Sequence, residues 1–172
     1  MARQFEVNQP NQAYVGDITY IPTDEGWLSL AVVIDLYSRQ VSGWSMANHM
    51  RAELVNHALL MAIWKRKPKK GLLFWHTDRR SQYASDSHQQ LLQLYSIEQS
   101  MSRKANCSDN AVSDSFFLSL KTEWGNHERY VTRDAAKASL FDYIEGFYNR
   151  QRLHSSNGYL SPVAFEMLLK TV

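Results

Sequence analysis

Tyr14-Val15-Gly16-Asp17-Ile18-Thr19-Tyr20-Ile21 is a run of β-branched and aromatic residues interrupted by one carboxylate. Its composition predicts a β-strand, a setting in which aspartate is depleted, so the charge on Asp17 needs a partner or a function. Two more aspartates stand where local structure does not demand them. Asp78 closes the apolar run Leu72-Leu73-Phe74-Trp75-His76-Thr77, and Asp114 lies in Asn110-Ala111-Val112-Ser113-Asp114-Ser115-Phe116-Phe117, where Asp109 or Asn110 is the expected helix N-cap. Between Asp78 and Asp114 lie 35 residues. Two strand-borne acids and one helix-borne acid can converge on a divalent metal ion.

Outward from that strand, residues 14–21, 27–35 and 40–48 predict three strands of an antiparallel meander, with Asp24-Glu25-Gly26 as the first hairpin turn. From Ala52 to Lys65, the residues Leu54, Val55, Ala58, Leu59, Ala62 and Ile63 recur at helical spacing, which predicts a helix packed on the sheet and ended by Pro68 and Gly71. A fourth strand over 72–77 delivers Asp78 at its C-terminal end, the usual edge for sites in α/β sheets. A helix near 86–95, a short strand near 97–100 and the helix of Asp114 follow, and the helical crossovers imply parallel pairing of the later strands. Helices over 133–149 and 161–170 complete the chain, with Ser161 as N-cap and Pro162 at the first helical position. The predicted fold class is α/β, a mixed five-stranded sheet in the chain order β-β-β-α-β-α-β-α flanked by helices.

The chemistry that calls for three such acids is phosphoryl transfer between nucleic-acid strands. That reaction needs a nucleophilic oxygen, a stabilised leaving oxygen and neutralisation of the charge that develops between them. Two Mg²⁺ ions supply all three, and hard cations of this kind take carboxylate oxygens while keeping other positions for water and phosphate. For any one aspartate taken alone, a solvated or capping role is the simpler reading; the three contexts together point to the metal.

With 172 residues, 44% of them hydrophobic, the chain can bury an ordinary core as a single domain. It has no apolar run long enough to span a bilayer, and Met1-Ala2-Arg3-Gln4-Phe5-Glu6 lacks the pattern of a signal peptide, so a cytoplasmic location and no membrane partner are expected. The lone Cys107 excludes an internal disulfide and any multi-cysteine zinc site, and the six histidines lack ligand spacing. Net charge is only +2, unevenly spread. Lys65-Arg66-Lys67-Pro68-Lys69-Lys70 is a basic block, and Arg79, Arg80, Arg103, Lys104, Lys121, Arg150 and Arg152 add cations, several near the acids in sequence, where phosphates would approach. The block reads equally as a solvated helix end favoured by the helix dipole. No base-reading motif is evident.

The runs Gly16-Asp17-Ile18-Thr19-Tyr20-Ile21, Val33-Ile34-Asp35-Leu36-Tyr37-Ser38-Arg39, His76-Thr77-Asp78-Arg79 with Ser81-Gln82-Tyr83, Cys107-Ser108-Asp109-Asn110-Ala111 through Phe116-Phe117, and Leu120-Lys121-Thr122-Glu123 together resemble the catalytic core of bacterial insertion-sequence transposases, within the retroviral-integrase superfamily. The resemblance runs from about Asn11 to Phe165. It implies an RNase H-like fold, a D-D-E acid triad and Mg²⁺-dependent cutting and joining of DNA, with Mn²⁺ as a substitute metal. By motif match Asp17, Asp78 and Asp114 are the catalytic, metal-binding acids, and Lys121 matches a basic residue that contacts DNA near the reactive phosphate. Arg79, Arg80, Arg103, Lys104, Lys65, Arg66 and Lys67 are the other expected DNA contacts. The implied partners are DNA, as element ends and target, and further copies of the chain in a homodimer or higher oligomer, in a bacterial cytoplasm and on the nucleoid when DNA is bound. Tyr148-Asn149-Arg150-Gln151-Arg152-Leu153-His154 matches the family's Asn-x-x-Arg-x-His run, for which stitching the C-terminal helices to the core is the favoured role over DNA positioning.

The chain departs from the family pattern at two positions. Arg80 stands where the pattern has glycine; if that position needed φ > 0, an arginine there would be strained. Asp114 stands where the pattern has glutamate, withdrawing the carboxylate by one methylene, against a metal-ligand tolerance of about 0.2 Å. Two other readings of the same fold therefore stay open: a catalytically impaired DNA-binding remnant or regulator, and an RNase H-type nuclease. Family members carry an N-terminal region with helix-turn-helix character; residues 1–10 are expected to be a tail before a core spanning 11–172, which makes a truncated frame, a cloned core or one product of a split gene the expectation.

Overall fold

The computed structural model describes residues 7–101, 111–124 and 129–171. Three long strands, β1 (Ala13–Thr23), β2 (Gly26–Asp35) and β3 (Val41–Ala47), form the antiparallel meander, with Tyr14 opposite Asp35 and Thr23 opposite Gly26 across the first hairpin. Gly26 sits at φ +121°, a backbone state that the tight hairpin needs and that glycine adopts without steric cost. Two short strands, β4 (Phe74–Thr77) and β5 (Glu98–Met101), extend the sheet in parallel from the far edge of β1, giving the order β3-β2-β1-β4-β5. The mixed five-stranded sheet expected from the sequence is what the structure shows.

Side chains alternate across the sheet and build two cores. On one face lies α1 (Ala52–Arg66), which with α3 (Asp86–Leu94) covers Tyr14, Ile18, Ala31, Val33 and Trp75. The predicted stripe Leu54, Val55, Ala58, Leu59, Ala62 and Ile63 is its buried side. α1 lies so close to β3 that a Cβ on Gly43 would stand 2.2 Å from the Ala58 carbonyl oxygen. On the other face, α4 (Ala111–Glu123), α5 (Arg133–Phe141) and the segment after it cover Val15, Ile21, Leu28, Leu30, Val32 and Ile34 with Phe116, Phe117, Leu120, Leu140, Tyr143, Ile144 and Tyr148.

The expected single helix over 133–149 divides. After Phe141 the chain widens into a π-helical stretch, Asp142–Tyr148, with Asn149 N–H donating to the Ile144 carbonyl five residues back. The wider turn carries Tyr143, Ile144 and Tyr148 into the core together. A four-residue helix, α2 (Ser81–Ala84), also precedes α3 where a loop was expected. The last helix, α6 (Pro162–Met167), begins as predicted, its Ser161 hydroxyl accepting from Ala164 N–H at 3.3 Å.

The C-terminal residues are stitched back to the core through side chains. Asn149 pairs with the backbone of Val41 like an added strand residue: its Oδ1 accepts from Val41 N–H at 2.8 Å and its Nδ2 donates to Val41 C=O at 3.0 Å. Arg152 grips Glu123 of α4 with Nε and Nη2, at 3.0 and 2.9 Å. The Asn-x-x-Arg run thus has the structural role favoured from the sequence. Arg66, at the end of α1, donates to Glu166 of α6 at 2.6 and 2.7 Å and to the fully buried Asp35 at 3.2 Å.

Candidate active site

β1 and β4 run parallel with Ala13 beside Phe74 and Val15 beside His76; continuing that register two residues on sets Asp17 beside Asp78. Asp17 shares the α4-facing side of β1 with Val15 and Ile21. Its residue is 9% exposed, and burial pushes its carboxyl above the usual range. Two donors oppose that shift by favouring the ionised form: Ile18 N–H at 2.8 Å to Oδ1, and the Ser113 hydroxyl at 3.0 Å to Oδ2. These are the partners that a carboxylate in a strand requires.

Asp78 is held by the loop it begins. Its Oδ1 accepts from the Arg80 backbone N–H at 2.9 Å and its Oδ2 faces Arg80 Nε at 3.0 Å. Arg80 Nη1 reaches the Ile18 carbonyl at 3.2 Å, tying the acid loop to β1 one residue past Asp17. Arg80 lies at φ −60° and ψ 147°, an ordinary extended conformation. The left-handed geometry that would have strained an arginine there is not adopted.

A layer of part-buried polar groups props up this loop. Thr77 Oγ1 receives Gln99 Nε2 at 3.1 Å, and Gln89 Nε2 donates both to Gln99 Oε1 at 2.7 Å and to the Tyr83 carbonyl at 2.9 Å. The phenol of Tyr83 is buried, and burial first, then Asp17 and Asp78, push its pKa well up. Beneath it Trp75 Nε1 donates to His88 Nε2 at 3.0 Å while His88 Nδ1 pairs with Asn56 Oδ1 at 2.7 Å. That pattern requires a neutral imidazole with its proton on Nδ1, and burial lowers the His88 pKa to about 4. Gly16, immediately before Asp17, leaves room for the Trp75 ring.

Asp114 is brought to the same end of the sheet but not into the pair. Ser113 is the residue of that turn that touches Asp17; Asp114 is one residue on, roughly 100° around the helix, and exposed. Among the described residues no three carboxylate, histidine or cysteine side chains are close enough to hold one metal ion. Of the three expected acids, Asp17 and Asp78 lie side by side, and Asp114 stands in the first turn of α4, where its charge also complements the helix dipole. The donor atoms of the pair are carboxylate oxygens, suited to a hard divalent cation, and the buried Asp17 lacks a cation bonded directly to it among the described residues.

The expected DNA contacts separate in space. Arg79 and Arg80 flank Asp78, and Lys121 is exposed two turns along α4 from Asp114. Arg103 and Lys104 lie outside the described residues, as do Cys107 and the expected N-caps Asp109 and Asn110. The basic block lies at the other end of α1 from the acid loop. Gln82 Nε2 holds the Met50 carbonyl at 2.8 Å, so α1 starts near the acid loop and its 15 residues, about 22 Å of helix, put Lys65, Arg66 and the C-cap Lys67 at its far end. There Lys65 pairs with Glu145 at 3.3 Å and Arg66 is enclosed by Glu166 and Asp35. Arg66 is a structural clamp rather than a phosphate contact, because its guanidinium is already committed. Ser113 and the closure of Arg80 on Asp78 were not anticipated; a serine next to the third acid carries no periodic or motif signal.

Two family models, each described as an integrase core domain, match residues 7–107 and 114–168. Over 166 residues the chain is 49% identical to the transposase InsF for insertion sequence IS3A of Escherichia coli (strain K12), a match covering 96% of this chain and 57% of that protein. It is 46% identical over 162 residues to the transposase for insertion sequence element IS904 of Lactococcus lactis subsp. lactis (strain IL1403), covering 94% of this chain and 64% of that one. The chain thus spans little more than half the length of these relatives. Among solved structures, a chain of the simian T-cell lymphotropic virus intasome superposes with a TM-score of 0.73 at 18% identity, over 92% of this chain and 55% of that chain. The HTLV-2 integrase catalytic core domain in complex with magnesium, in a trimeric form, gives 0.66 at 17% identity, over 92% and 97%. The fold is therefore that of retroviral integrase catalytic cores, RNase H-like. Among the described residues no helix is long and apolar enough to cross a membrane.

Proposed function

Since the chain belongs to the integrase core domain family, we propose that it catalyses metal-dependent cleavage and joining of DNA strands in transposition. The single observation that carries the reading is that the parallel register of β1 and β4, continued two residues past Val15 and His76, brings Asp17 and Asp78 side by side, one acid buried and the other opening onto the loop of Arg79 and Arg80. Asp17 and Asp78 would hold the divalent cation, Mg²⁺ or Mn²⁺ in its place. When bound, that ion neutralises charge developing on the phosphate and lowers the pKa of a coordinated water or hydroxyl. The chain's own groups set the stage: Ser113 and Ile18 N–H favour the ionised form of Asp17 and aim it, and the Thr77–Gln99–Gln89 chain fixes the acid loop. Exposed Arg79 and Lys121 are the proposed contacts to the DNA backbone, with Arg103 and Lys104 of the adjoining segment. Element ends and target DNA as substrates, assembly as a homo-oligomer and a bacterial cytoplasmic setting belong to the same reading.

A second reading has a specific observation in its favour: Asp114 stands outside the acid pair, which supports a DNA-binding remnant of impaired activity. One experiment separates them. Mn²⁺ binding is followed by electron paramagnetic resonance, and nicking and joining of duplex DNA by gel, for the chain, Asp17→Asn and Asp114→Glu. Binding and cutting that vanish in a folded Asp17→Asn support the enzyme. Metal binding without cutting, with cutting gained in Asp114→Glu, supports the impaired remnant. Absence of Asp17-dependent metal binding in all three refutes the metal site.

A further inference from the structure

We propose that Arg80 is a latch on the acid pair: its guanidinium holds the cation position beside Asp78, and it must swing out before a divalent metal can be held there, a release that DNA phosphates promote. The inference rests on the metal reading above and concerns one of the two residues at which this chain departs from the family pattern.

Both oxygens of Asp78 are committed to Arg80, one to its backbone N–H at 2.9 Å and one to its Nε at 3.0 Å. The far end of the same guanidinium bonds to the Ile18 carbonyl at 3.2 Å, so the side chain spans from the second acid to the strand segment next to the first. A hard cation between Asp17 and Asp78 needs the same Asp78 oxygens, and guanidinium and metal therefore compete for one place. Arg80 also acts on Asp17, whose ionised form it favours. It thus does electrostatically, without a metal, part of what the metal would do.

The latch is built to open. Its backbone is unstrained at φ −60°, so freeing Oδ2 of Asp78 needs only side-chain rotation, with the backbone N–H staying on Oδ1. The Arg80 side chain is 41% exposed against 23% for Asp78, which gives it a path to solvent and makes the ion pair one of modest strength. Swung outward, it joins the exposed Arg79 on the loop, where two adjacent guanidinium groups can receive phosphate oxygens in bidentate fashion. A polyanion that draws Arg80 off Asp78 frees the carboxylate for metal, so DNA and metal binding become positively coupled, and reciprocally so.

The test is a Mn²⁺ titration by electron paramagnetic resonance of the wild type, Arg80→Gly, Arg80→Gln and the double variant Arg80→Gly/Asp17→Asn, each checked for folding by thermal unfolding. Without DNA, both single variants should bind Mn²⁺ about fivefold more tightly than the wild type, the size expected for loss of one competing, partly exposed ion pair. The double variant should lose the site. Short duplex DNA, with the double variant subtracting ions bound to DNA alone, should tighten the wild type by a similar factor and the single variants by less. Equal affinity in wild type, Arg80→Gly and Arg80→Gln, with binding still dependent on Asp17, overturns the latch and leaves the metal site standing. No Asp17-dependent binding even in Arg80→Gly overturns both, since there is then no site for Arg80 to guard.

Discussion

Gly16→Ala should destabilise the protein out of proportion to a single methyl group and should displace Asp17. A Cβ on Gly16 would stand 2.2 Å from Trp75 Cη2, 2.6 Å from Cζ2 and 3.0 Å from Cζ3. Carbon atoms in contact settle near 3.5–4.0 Å, so the overlap with the nearest atom is about 1.3 Å or more. The indole has nowhere to go: it is 1% exposed, its Nε1 is bonded to His88 at 3.0 Å, and Tyr83 stands edge-on to it with ring centroids 6.1 Å apart. Either β1 bows away, taking Asp17 with it, or the indole turns and leaves the buried His88 Nε2 without its donor. Overpacking of this kind costs about 1–3 kcal/mol, and an unsatisfied buried acceptor about 1–3 kcal/mol. Because either movement relieves one cost by accepting the other, the expected loss is about 1–3 kcal/mol, read from urea unfolding followed by circular dichroism. Trp75→Phe removes the clashing atoms, so Gly16→Ala/Trp75→Phe should lose at least about 1 kcal/mol less than the sum of the single variants. A loss below about 0.5 kcal/mol in Gly16→Ala, or strict additivity of the pair, would refute the close approach as the reason for glycine at this position.

Two further outcomes can be checked on the same footing. Asn149→Ala strips the buried Val41 of both a donor and an acceptor and should cost about 2–4 kcal/mol in urea unfolding, with Asn149→Asp, which keeps only the acceptor, falling between; a loss under about 1 kcal/mol would show that water replaces the side chain. His88 has a folded pKa of about 4 against 6.5 for the free side chain, so the unfolded chain takes up its proton first as pH falls. Its contribution to stability is whole above about pH 6.5 and is lost on the way down to about pH 4, by at most about 3 kcal/mol; the wild type minus His88→Asn difference in unfolding free energy should shrink across that window, and a flat difference would contradict a neutral, doubly bonded imidazole.

Most of the framework was legible because it is written in local patterns. Alternation made the meander readable, the Leu54-to-Ile63 stripe made α1 readable, and Ser161-Pro162 announced α6 to the residue. The basic block shows how neighbours in sequence need not be neighbours in space. Lys65, Arg66 and Lys67 looked like part of the positive surround of the acids, yet α1 starts at the acid loop and ends a helix length away, where Arg66 clamps Glu166, 100 residues on. α2 is too short for periodicity to reveal, and the π-helical stretch follows from the need to bury Tyr143, Ile144 and Tyr148 together, a demand of packing that no helical template expresses. At the site itself the three acids were legible as candidates but their geometry was not. Which of Ser113 and Asp114 faces Asp17 depends on the rotation of α4 about its axis, and that is set by Phe116, Phe117 and Leu120 burying themselves on the sheet.

That rotation decides what the third acid can do. Turning α4 by the roughly 100° that would exchange Ser113 for Asp114 would carry Phe116, Phe117 and Leu120 out of the core. Burial of three such side chains is worth several kcal/mol, far more than a carboxylate gains by approaching its neighbours. The helix is also held away from its start, where Glu123 takes both Nε and Nη2 of Arg152. Asp114 must therefore reach the acid pair by its own side chain from a fixed backbone, and reach is what one methylene alters. A glutamate in the same frame extends by about one carbon–carbon bond without disturbing the packing beneath it, whereas the aspartate stops one methylene short. Asp114→Glu would thus bear on the proposed metal site through length alone: the charge, the helix and the Ser113 contact to Asp17 stay as they are.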